Sequence, residues 1–316
     1  MAMAGARRYW LIWLPVVPVV LWTLVRVFGL DRGFPLVAMM AFTPYVAVAA
    51  LLVAGVAVAL RNWPAAAVTA VATLCLAVAV LPRAIGDGTA DAAGHETLTV
   101  LSTNVLRGHA DPEAVIELVD RYRPDLLNVQ ELSPRFARKL DAAGIRERLP
   151  YAITEISQGP AGGGMFSRLP LRRLDAERES FFRMPRAELQ MPSGRRVRVI
   201  DVHPLTPSRN GVDAWRDALE DFPSGGEGAP WILAGDFNAT LDHSELRDLI
   251  DRGYSDAGDV AGQGLTPTWP RDRSRLPPLV TIDHVLADER LGIVEYGVDE
   301  LPGSDHRAIH ATVALP

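Results

Sequence analysis

One stretch decides the fold, Trp231-Ile232-Leu233-Ala234-Gly235-Asp236-Phe237-Asn238, in which an apolar run meets a cluster of polar side chains. The apolar run predicts a short buried strand. Gly235 predicts a sharp turn, from which Asp236 and Asn238 project at the strand end. A second polar cluster, Ser304-Asp305-His306, lies just before another apolar run. Metal-assisted attack on phosphate needs hard oxygen ligands, an acid or base and hydrogen-bond donors, and the two clusters offer all three.

Short apolar runs recur through the carboxy-terminal two thirds of the chain and predict further strands. They lie at residues 98–106, 125–132, 164–167, 196–203, 231–234, 280–287 and 308–315. Helical spacing of apolar residues lies between some of them, at residues 113–123, 211–222 and 244–252. Strands rich in Val, Ile and Leu with helices interspersed predict an α/β sandwich.

Polar residues stand at the ends of these predicted strands. Each has an ordinary explanation when taken alone, such as a turn former, a residue before proline or an exposed strand position. Their recurrence at successive strand ends instead indicates one shared site. The set is Asn104, Glu131, His203, Asp236, Asn238, Asp283-His284 and Asp305-His306.

These residues fall in motifs that resemble the endonuclease/exonuclease/phosphatase family, which has the DNase I-like fold. The motifs occur in the family's order over roughly residues 97–316. The resemblance implies a four-layer sandwich of two mixed β-sheets flanked by helices, with the site at one end. The motifs are Ser102-Thr103-Asn104-Val105, Val129-Gln130-Glu131, Gly163-Gly164-Met165-Phe166-Ser167-Arg168, Asp201-Val202-His203-Pro204, Gly235-Asp236-Phe237-Asn238, Thr268-Trp269, Ile282-Asp283-His284-Val285 and Ser304-Asp305-His306.

The predicted metal ligands are oxygen donors. Glu131 is the principal candidate, and Asn104 and Asp305 complete or support the shell. Hard oxygen ligands with few imidazoles favour Mg²⁺ or Mn²⁺ over Zn²⁺.

The predicted catalytic residues are three polar groups around the phosphate and one carboxylate–imidazole pair. Asp236 positions or deprotonates the attacking water, while Asn238 and His203 donate hydrogen bonds to phosphate oxygens. Asp283 orients His306 and favours its protonated form. The sequence leaves open which of His306 and Asp236 is the base.

Three aromatic or imidazole side chains near the motifs carry weaker predictions. His284 adjoins Asp283, so the two-residue period of a strand points it to the opposite face. We predict that His310 packs structurally. Trp269 either borders the substrate pocket or anchors the core.

The amino-terminal region is predicted to be a membrane domain, residues 1–83. Uncharged runs of 17, 28 and 21 residues begin at Tyr9, Gly33 and Asn62, and about 18 apolar residues suffice to cross a bilayer as a helix. Three spans are therefore predicted, at about residues 9–28, 36–60 and 63–82. A signal peptide is the alternative for the first run, but no small-residue cleavage site follows it. Residues 84–96 are small and polar, which predicts a flexible tether before the catalytic domain at 97–316.

The distribution of charge predicts the membrane topology and bears on whether the protein binds nucleic acid. Arg7-Arg8 before the first span favours a cytoplasmic amino terminus, although the basic residues of the loops are nearly balanced. Three crossings then place the catalytic domain outside the cytoplasm. Residues 1–94 hold six arginines and three aspartates, so 26 basic and 35 acidic residues remain for the rest of the chain. This excess of acid disfavours nonspecific binding of nucleic acid. Cys75, the only cysteine, lies in the third span and excludes an internal disulfide.

Together these features predict a membrane-anchored, Mg²⁺-dependent phosphoesterase of phosphodiesters or phosphomonoesters. The arrangement of three spans before this domain is similar to bacterial membrane proteins linked to teicoplanin resistance. That resemblance implies a cell-envelope lipid phosphate or pyrophosphate as substrate, because tethering concentrates the site near lipids. A surface nuclease and a noncatalytic binding module are the alternatives. Arg107, Arg209, Arg271, Arg273 and Arg275 could grip either a DNA backbone or a lipid pyrophosphate.

Overall fold

The computed structural model describes residues 10–176, 181–271 and 277–316. Arg7, Arg8, Arg273 and Arg275 therefore lie outside the described residues. Over the described residues, helices precede a region with two β-sheets.

Helices occupy each of the three predicted spans, but their lengths differ from the prediction. They are α1 (Trp13–Phe28), α2 (Leu36–Met40), α3 (Thr43–Ala59) and α4 (Trp63–Val80), and a 3₁₀ turn at Leu81–Ala84 continues α4. Over the described residues, the apolar length needed to cross a membrane is reached by one helix, Trp63–Ala84.

The first helix, α1, ends at Phe28 as predicted, because Gly29 adopts the left-handed conformation with φ of 61°. Its printed start, Trp13, lies later than the predicted residue 9. The second span is broken between α2 and α3, where Pro44 lacks an amide hydrogen and so cannot continue a helix begun at Leu36. Helices α1 and α3 are 16 and 17 residues long.

Two six-stranded mixed sheets form the rest of the chain, as predicted. The first has the order β11-β12-β1-β2-β4-β3 and the second β5-β6-β7-β8-β10-β9. Each is centred on one parallel pair, β1 with β2 and β7 with β8, and the other pairs are antiparallel. The strands are β1 (Thr97–Asn104), β2 (Leu126–Gln130), β3 (Tyr151–Glu155), β4 (Gly163–Ser167), β5 (Leu171–Leu174), β6 (Arg186–Gln190), β7 (Arg196–Val202), β8 (Trp231–Asp236), β9 (Tyr254–Asp256), β10 (Asp283–Asp288), β11 (Gly292–Asp299) and β12 (Ala308–Ala314).

Helices cover the outer faces of both sheets. Those beside the first sheet are α5 (Pro112–Tyr122), α6 (Pro134–Ala142) and α7 (Ile145–Arg148), and those beside the second are α8 (Val212–Glu220) and α9 (Ser244–Ile250). Helix α10 (Ala257–Val260) packs instead against the core between the sheets. Asp111 and Ser133 cap α5 and α6, each followed by a proline in the first turn.

Central strands such as β2 and β8 are buried on both faces, which explains their continuous apolar runs. In β8, Ile232 and Ala234 pack between the two sheets, whereas Leu233 points outward to the core beneath the outer helices. This alternation follows the two-residue period of a strand. The sandwich therefore has three apolar layers, one between the sheets and one under each set of helices.

The two sheets bring their polar strand ends to the same end of the sandwich. Strands β1 and β8 end at Asn104 and Asp236, and β2 ends one residue before Glu131. The antiparallel strand β10 begins at Asp283 on the same side, because its register places Asp283 opposite Asp236. The layer arrangement thus carries residues from distant parts of the chain to one rim.

The segment predicted as a flexible tether contacts the domain of the two sheets. The backbone amide of Asp87 donates to the carbonyl of Val260 at 3.2 Å, and that of Ala90 donates to Ile293 at 2.6 Å. Gly86 lies so close to Gly262 that a Cβ atom would come within 2.5 Å of its nitrogen. Small residues here permit close backbone packing.

Buried polar side chains connect the sheets beneath the rim. Asp201 on β7 accepts hydrogen bonds from Gln130 Nε2 at 2.6 Å and from the Gly164 amide at 2.9 Å. Burial raises the pKa of Asp201 to about 8, although both hydrogen bonds act to lower it. The folded protein therefore holds a protonated carboxyl group between its sheets at neutral pH.

Replacing Asp201 with Asn should remove a pH dependence of stability. Between about pH 4 and pH 8 the unfolded chain has lost the Asp201 proton while the folded state keeps it, so wild-type stability falls as the pH rises. The Asp201→Asn variant has no proton to lose, and its unfolding temperature should vary less over this range. Thermal unfolding of both proteins across this interval is the measurement, and parallel curves would contradict the assignment.

Candidate active site

Two buried carboxylates face each other at the rim. Asp236 and Asp283 are 2% and 3% exposed and stand directly opposite in the antiparallel pairing of β8 and β10. Like charges in such a pair repel. His306 offsets this repulsion, since its Nδ1 lies 3.0 Å from Asp283 Oδ2 and its Nε2 lies 3.6 Å from Asp236 Oδ2.

The two carboxylates hold His306 in its charged form. Burial acts to lower the pKa of His306, but the charges of Asp283 and then Asp236 outweigh it and raise the pKa to about 10. The imidazole is therefore an imidazolium at neutral pH.

Asp236 collects hydrogen bonds from both sheets. Its Oδ1 accepts from the backbone amide of Asn238 at 2.8 Å, and its Oδ2 accepts from Asn104 Nδ2 at 3.1 Å. His203 Nε2 lies 3.6 Å from the same Oδ2. Burial raises the pKa of Asp236, against the effect of the neighbouring imidazoles. Asp236 is thus the point at which the predicted catalytic residues meet.

His203 is a neutral imidazole in this setting. Burial is the largest effect on its pKa and lowers it to about 4, although Asp236 acts in the opposite direction. The ring packs 4.7 Å from that of Phe182. Its Nδ1 is buried without a partner among the described residues. A neutral histidine with a free nitrogen can donate or accept one hydrogen bond to a substrate oxygen.

Asn238 is fixed by its loop. Its φ is 50°, a conformation that asparagine tolerates better than most residues. Its side-chain Nδ2 donates to the carbonyl of Pro204 at 3.1 Å, and Thr206 Oγ1 donates to its Oδ1 at 3.3 Å. The amide hydrogens predicted to bind phosphate are therefore partly engaged within the protein.

Gly235 is required by close packing, so the predicted turn is wrong. Strand β8 continues through Gly235 to Asp236. A Cβ atom at this position would lie 2.1 Å from the carbonyl oxygen of Val202 on β7. The glycine therefore lets two parallel strands approach closely just below the catalytic carboxylate.

Glu131 and Asp305 each present a buried carboxylate oxygen that accepts no hydrogen bond from the described residues. Arg107 Nε lies 3.9 Å from the Glu131 oxygen. Burial, followed by the charge of Asp236, raises the pKa of Glu131. With Asp236 and Asp283, four carboxylates crowd this end of the sandwich, and excess buried negative charge needs a counter-charge. Hard oxygens of this kind in such a group fit a divalent cation.

Asn104 is oriented differently from a metal ligand. Its side-chain oxygen accepts from the Leu106 amide at 3.0 Å, and its nitrogen faces the carboxylates of Asp236 and Glu131. In this orientation Asn104 donates to the acidic cluster. The opposite amide orientation would turn its oxygen toward the cluster.

Asp236, Asp283 and His306 form a second arrangement within reach of one ion, because a donor atom from each lies within 4.8 Å of the others. The protonated imidazole occupies this group and repels a cation. The oxygens of Glu131 and Asp305 are therefore the better candidates for a metal.

Comparison with known proteins agrees with this geometry. The model of the Endonuclease/Exonuclease/phosphatase family matches residues 101–306. The chain belongs to this family. It is accordingly a hydrolase that acts on phosphoester bonds, in a family that is typically metal-dependent. None of the curated proteins matches it.

Solved structures share the fold at low sequence identity. One is an endonuclease/exonuclease/phosphatase from Beutenbergia cavernae, 18% identical, covering 69% of this chain and 72% of that one with a TM-score of 0.51. A truncated TDP2 from Caenorhabditis elegans is 19% identical and covers 71% of this chain and 100% of that one, with a TM-score of 0.54. TDP2 from D. rerio, complexed with a single-strand DNA product, is 18% identical. The match covers 69% of this chain and 99% of that one, with a TM-score of 0.54.

The weaker predictions on aromatic and imidazole residues are settled by their contacts. His284 bonds to Asp256 Oδ2 at 2.8 Å and to the Ala239 carbonyl at 2.9 Å, away from the catalytic cluster. His310 stacks on Tyr122 at 3.8 Å. Trp269 borders the site, with its Nε1 3.3 Å from Asp305 Oδ2.

Several residues that support the site of this protein were not identified from the sequence. Phe182 lies in a loop without periodicity, so nothing in its surroundings predicted that it packs on His203. Thr206 is two residues beyond a quoted motif, and its contact with Asn238 depends on the loop conformation. Asp201 and Gln130 belong to two of the family motifs. The two-residue period of a strand is the signal that could have placed their side chains on the face between the sheets.

His306→Ala should reduce turnover by orders of magnitude while the fold is retained. The change removes the imidazolium between two carboxylates, and positioned acid–base groups contribute about 10²–10⁴-fold to catalysis. Steady-state hydrolysis of a phosphoester, with circular dichroism as the test of folding, measures this. His310→Ala is the matched control, because that imidazole is equally buried but contacts Tyr122, Glu295 and Asp299. Unaltered hydrolysis by His306→Ala would exclude the assigned role.

Proposed function

We propose that this protein is a membrane-anchored, Mg²⁺-dependent phosphoesterase whose substrate is a phosphate or pyrophosphate ester of a cell-envelope lipid. The observation that carries the phosphoesterase proposal is the buried group of Asp236, Asp283 and His306 beside the buried oxygens of Glu131 and Asp305. Such a group supplies acid–base residues and a place for a cation at one end of the sandwich.

Glu131 and Asp305 would hold the cation, with Asn104 joining them if its amide is reversed. When bound, a divalent cation neutralises phosphate charge and polarises the phosphoryl oxygen. Mn²⁺ suits the same oxygen donors.

The protonation states favour His306 as the proton donor and Asp236 as the proton acceptor. His306 already carries its proton at neutral pH, so it suits donation toward a phosphate or leaving-group oxygen. Asp236 lacks a strong cationic partner apart from His306, and its raised pKa makes it the better proton acceptor for the attacking water. His203 is neutral, and its Nε2, which lies 3.6 Å from Asp236 Oδ2, is placed to donate a hydrogen bond to a phosphate oxygen.

Membrane anchoring is supported by the apolar surface of the amino-terminal helices. Leu14 on α1, Leu52 on α3 and Val78 on α4 are 70%, 65% and 67% exposed, and many of their neighbours are similar. Large exposed apolar surfaces mark interaction with a membrane or a partner. Residues 10 and 11, just before α1, are also helical, and a helix over residues 10–28 would reach about 28 Å. We propose a multi-pass anchor, with the interrupted second span completed by α2 and α3.

A lipid substrate is supported by contacts that lead from the helices to the site. Tyr45 on α3 donates its hydroxyl hydrogen to the Leu279 carbonyl at 2.7 Å. Leu279 in turn donates its backbone amide to Trp269, whose indole borders Asp305 and lies 6.4 Å from the His306 ring. The rim of the site is thus next to the region proposed to lie at the membrane surface, where lipid head groups are concentrated.

A nucleic-acid substrate is the second candidate. It is favoured by the D. rerio TDP2 complex with single-strand DNA product, which shares the fold. Arg107 lies 3.9 Å from Glu131 at the rim and is largely exposed. Arg209 instead covers the Phe34 ring, and Arg271 pairs with Glu300, so these arginines are engaged within the protein. The acidic balance of the domain also disfavours this candidate.

Purified full-length protein should hydrolyse polyprenyl pyrophosphate in the presence of Mg²⁺, and faster than it cleaves plasmid DNA. Phosphate release from detergent-dispersed lipid and gel analysis of the plasmid measure the two reactions. Chelation by EDTA should abolish turnover, and Glu131→Gln should lower it by at least about tenfold, because it replaces the principal carboxylate ligand by a neutral amide. Glu188→Gln is the control, a buried carboxylate on β6 that pairs with Arg172 outside the site. DNA cleavage without lipid hydrolysis would contradict the lipid proposal and favour the nuclease.

We also propose that the catalytic domain lies outside the cytoplasm. An alkaline phosphatase reporter fused after Pro316 should then be active in cells, because that enzyme matures only in an oxidising compartment. A fluorescent reporter that folds only in the cytoplasm should be dark at the same position. The reverse pattern would contradict the proposed orientation.

A further inference from the structure

The catalytic loop, which we define as residues 236–244, contains a fully buried carboxylate. Asp242 comes four residues after Asn238 and is 0% exposed. A buried carboxylate needs charged or hydrogen-bonding partners. Here these partners come from the amino-terminal helices.

Two arginines from different helices enclose Asp242. Arg26, in the last turn of α1, donates its Nε to Oδ1 at 2.7 Å. Arg83, in the 3₁₀ turn after α4, donates Nη1 to Oδ2 and Nη2 to Oδ1, both at 2.8 Å. Both guanidinium groups also donate to the carbonyl of Leu241, at 3.4 and 3.2 Å. The side chains of both arginines are themselves more than nine-tenths buried.

The loop between α1 and α2 adds contacts on either side of Asp242. Asp31, which is 0% exposed, accepts a hydrogen bond from the Ser244 amide at the start of α9, at 3.1 Å. Val37 on α2 is fully buried in the same apolar cluster as Phe237 and Ala239. The loop from Asp236 to Ser244 is therefore held from the helical side along its length.

We propose that Arg26 and Arg83 are positioning residues, which act through Asp242 to hold Asp236 and Asn238 in line with His203 and His306. The amino-terminal helices then serve the active site as well as anchoring the protein. This inference rests on the proposed phosphoesterase function.

The family match begins at residue 101, and the similar solved structures from Beutenbergia cavernae and C. elegans cover 69% and 71% of this chain. In this protein the same fold contains a carboxylate whose two cationic partners both lie before that point, at residues 26 and 83.

The experiment compares three variants of the full-length protein in detergent: Arg26→Gln, Arg83→Gln, and the triple variant Arg26→Gln/Arg83→Gln/Asp242→Asn. Each single change leaves a buried carboxylate underpaired and should displace the catalytic loop. Displacement of reacting groups by about 1 Å can cost about 10²-fold in rate. We expect kcat for bis-p-nitrophenyl phosphate to fall at least tenfold, with KM within twofold. The triple variant removes the charge together with its partners and should recover kcat to within about threefold of wild type.

Arg148→Gln is the matched control. Arg148 also forms a two-point ion pair, with Asp120, but on the outer surface away from the site. Its kcat should equal that of wild type. Single variants that unfold at lower temperature yet keep wild-type kcat in the folded protein would overturn the proposal, as would a triple variant without recovery.

Hydrogen–deuterium exchange provides a readout that does not need a substrate. Peptides covering residues 236–244 should exchange faster in both single variants, while those covering β1 remain unchanged. Unchanged exchange over residues 236–244 would overturn the positioning role even if the protein hydrolyses the ester. If wild-type protein hydrolyses nothing, the proposed function fails, and the exchange result alone decides whether the arginines position the loop.

Discussion

The repulsion between Asp236 and Asp283 is the constraint on which the site depends. The register of β8 and β10 places these buried carboxylates opposite each other, and the protonated ring of His306 lies between them. Neither carboxylate could remain ionised in the sandwich without a cation nearby. Because His306 is carried by the loop before β12 of the other sheet, the charge balance also ties the two sheets together at the rim. Catalytic geometry and the packing of the sheets therefore share one interaction.

The sequence predicts the site best where an apolar run ends at a polar residue. The run before Asp236 is apolar at every position because β8 is buried on both faces, so its end could be located from the sequence. Edge strands gave no such signal. Strand β5 is exposed in its middle, and β3 and β11 alternate irregularly between buried and partly buried positions, so all three were missed. Strand β6 was missed for another reason, since Arg186 and Glu188 are buried there through ion pairs.

Other features depended on contacts that a sequence does not display. Composition predicted a loose tether at residues 84–96, but the same small residues allow close packing against residues 260–262. Asn104 is predicted from its oxygen-donor chemistry to complete or support the metal shell, whereas in the structure the hydrogen bond from the Leu106 amide turns its nitrogen to the acids. Asp242 stood outside every motif, and nothing near it in the sequence indicated that its partners lie 159 and 216 residues away. Long-range ion pairs of this kind follow from how domains pack, which local patterns do not encode.

Strand β10 shows how one short element can serve the catalytic loop from both of its faces. Asp283 and His284 are neighbours in sequence, so their side chains point to opposite sides of the sheet. Asp283 orients His306 on the catalytic side. On the other side His284, held by Asp256, bonds to the carbonyl of Ala239, one residue beyond Asn238. Burial acts to lower the pKa of His284, but Asp256 and the Ala239 carbonyl raise it, so that this ring can donate to both partners. The loop is thus held by His284 at Ala239 and by the arginines at Asp242, and Asp236 is anchored between the strands at its start.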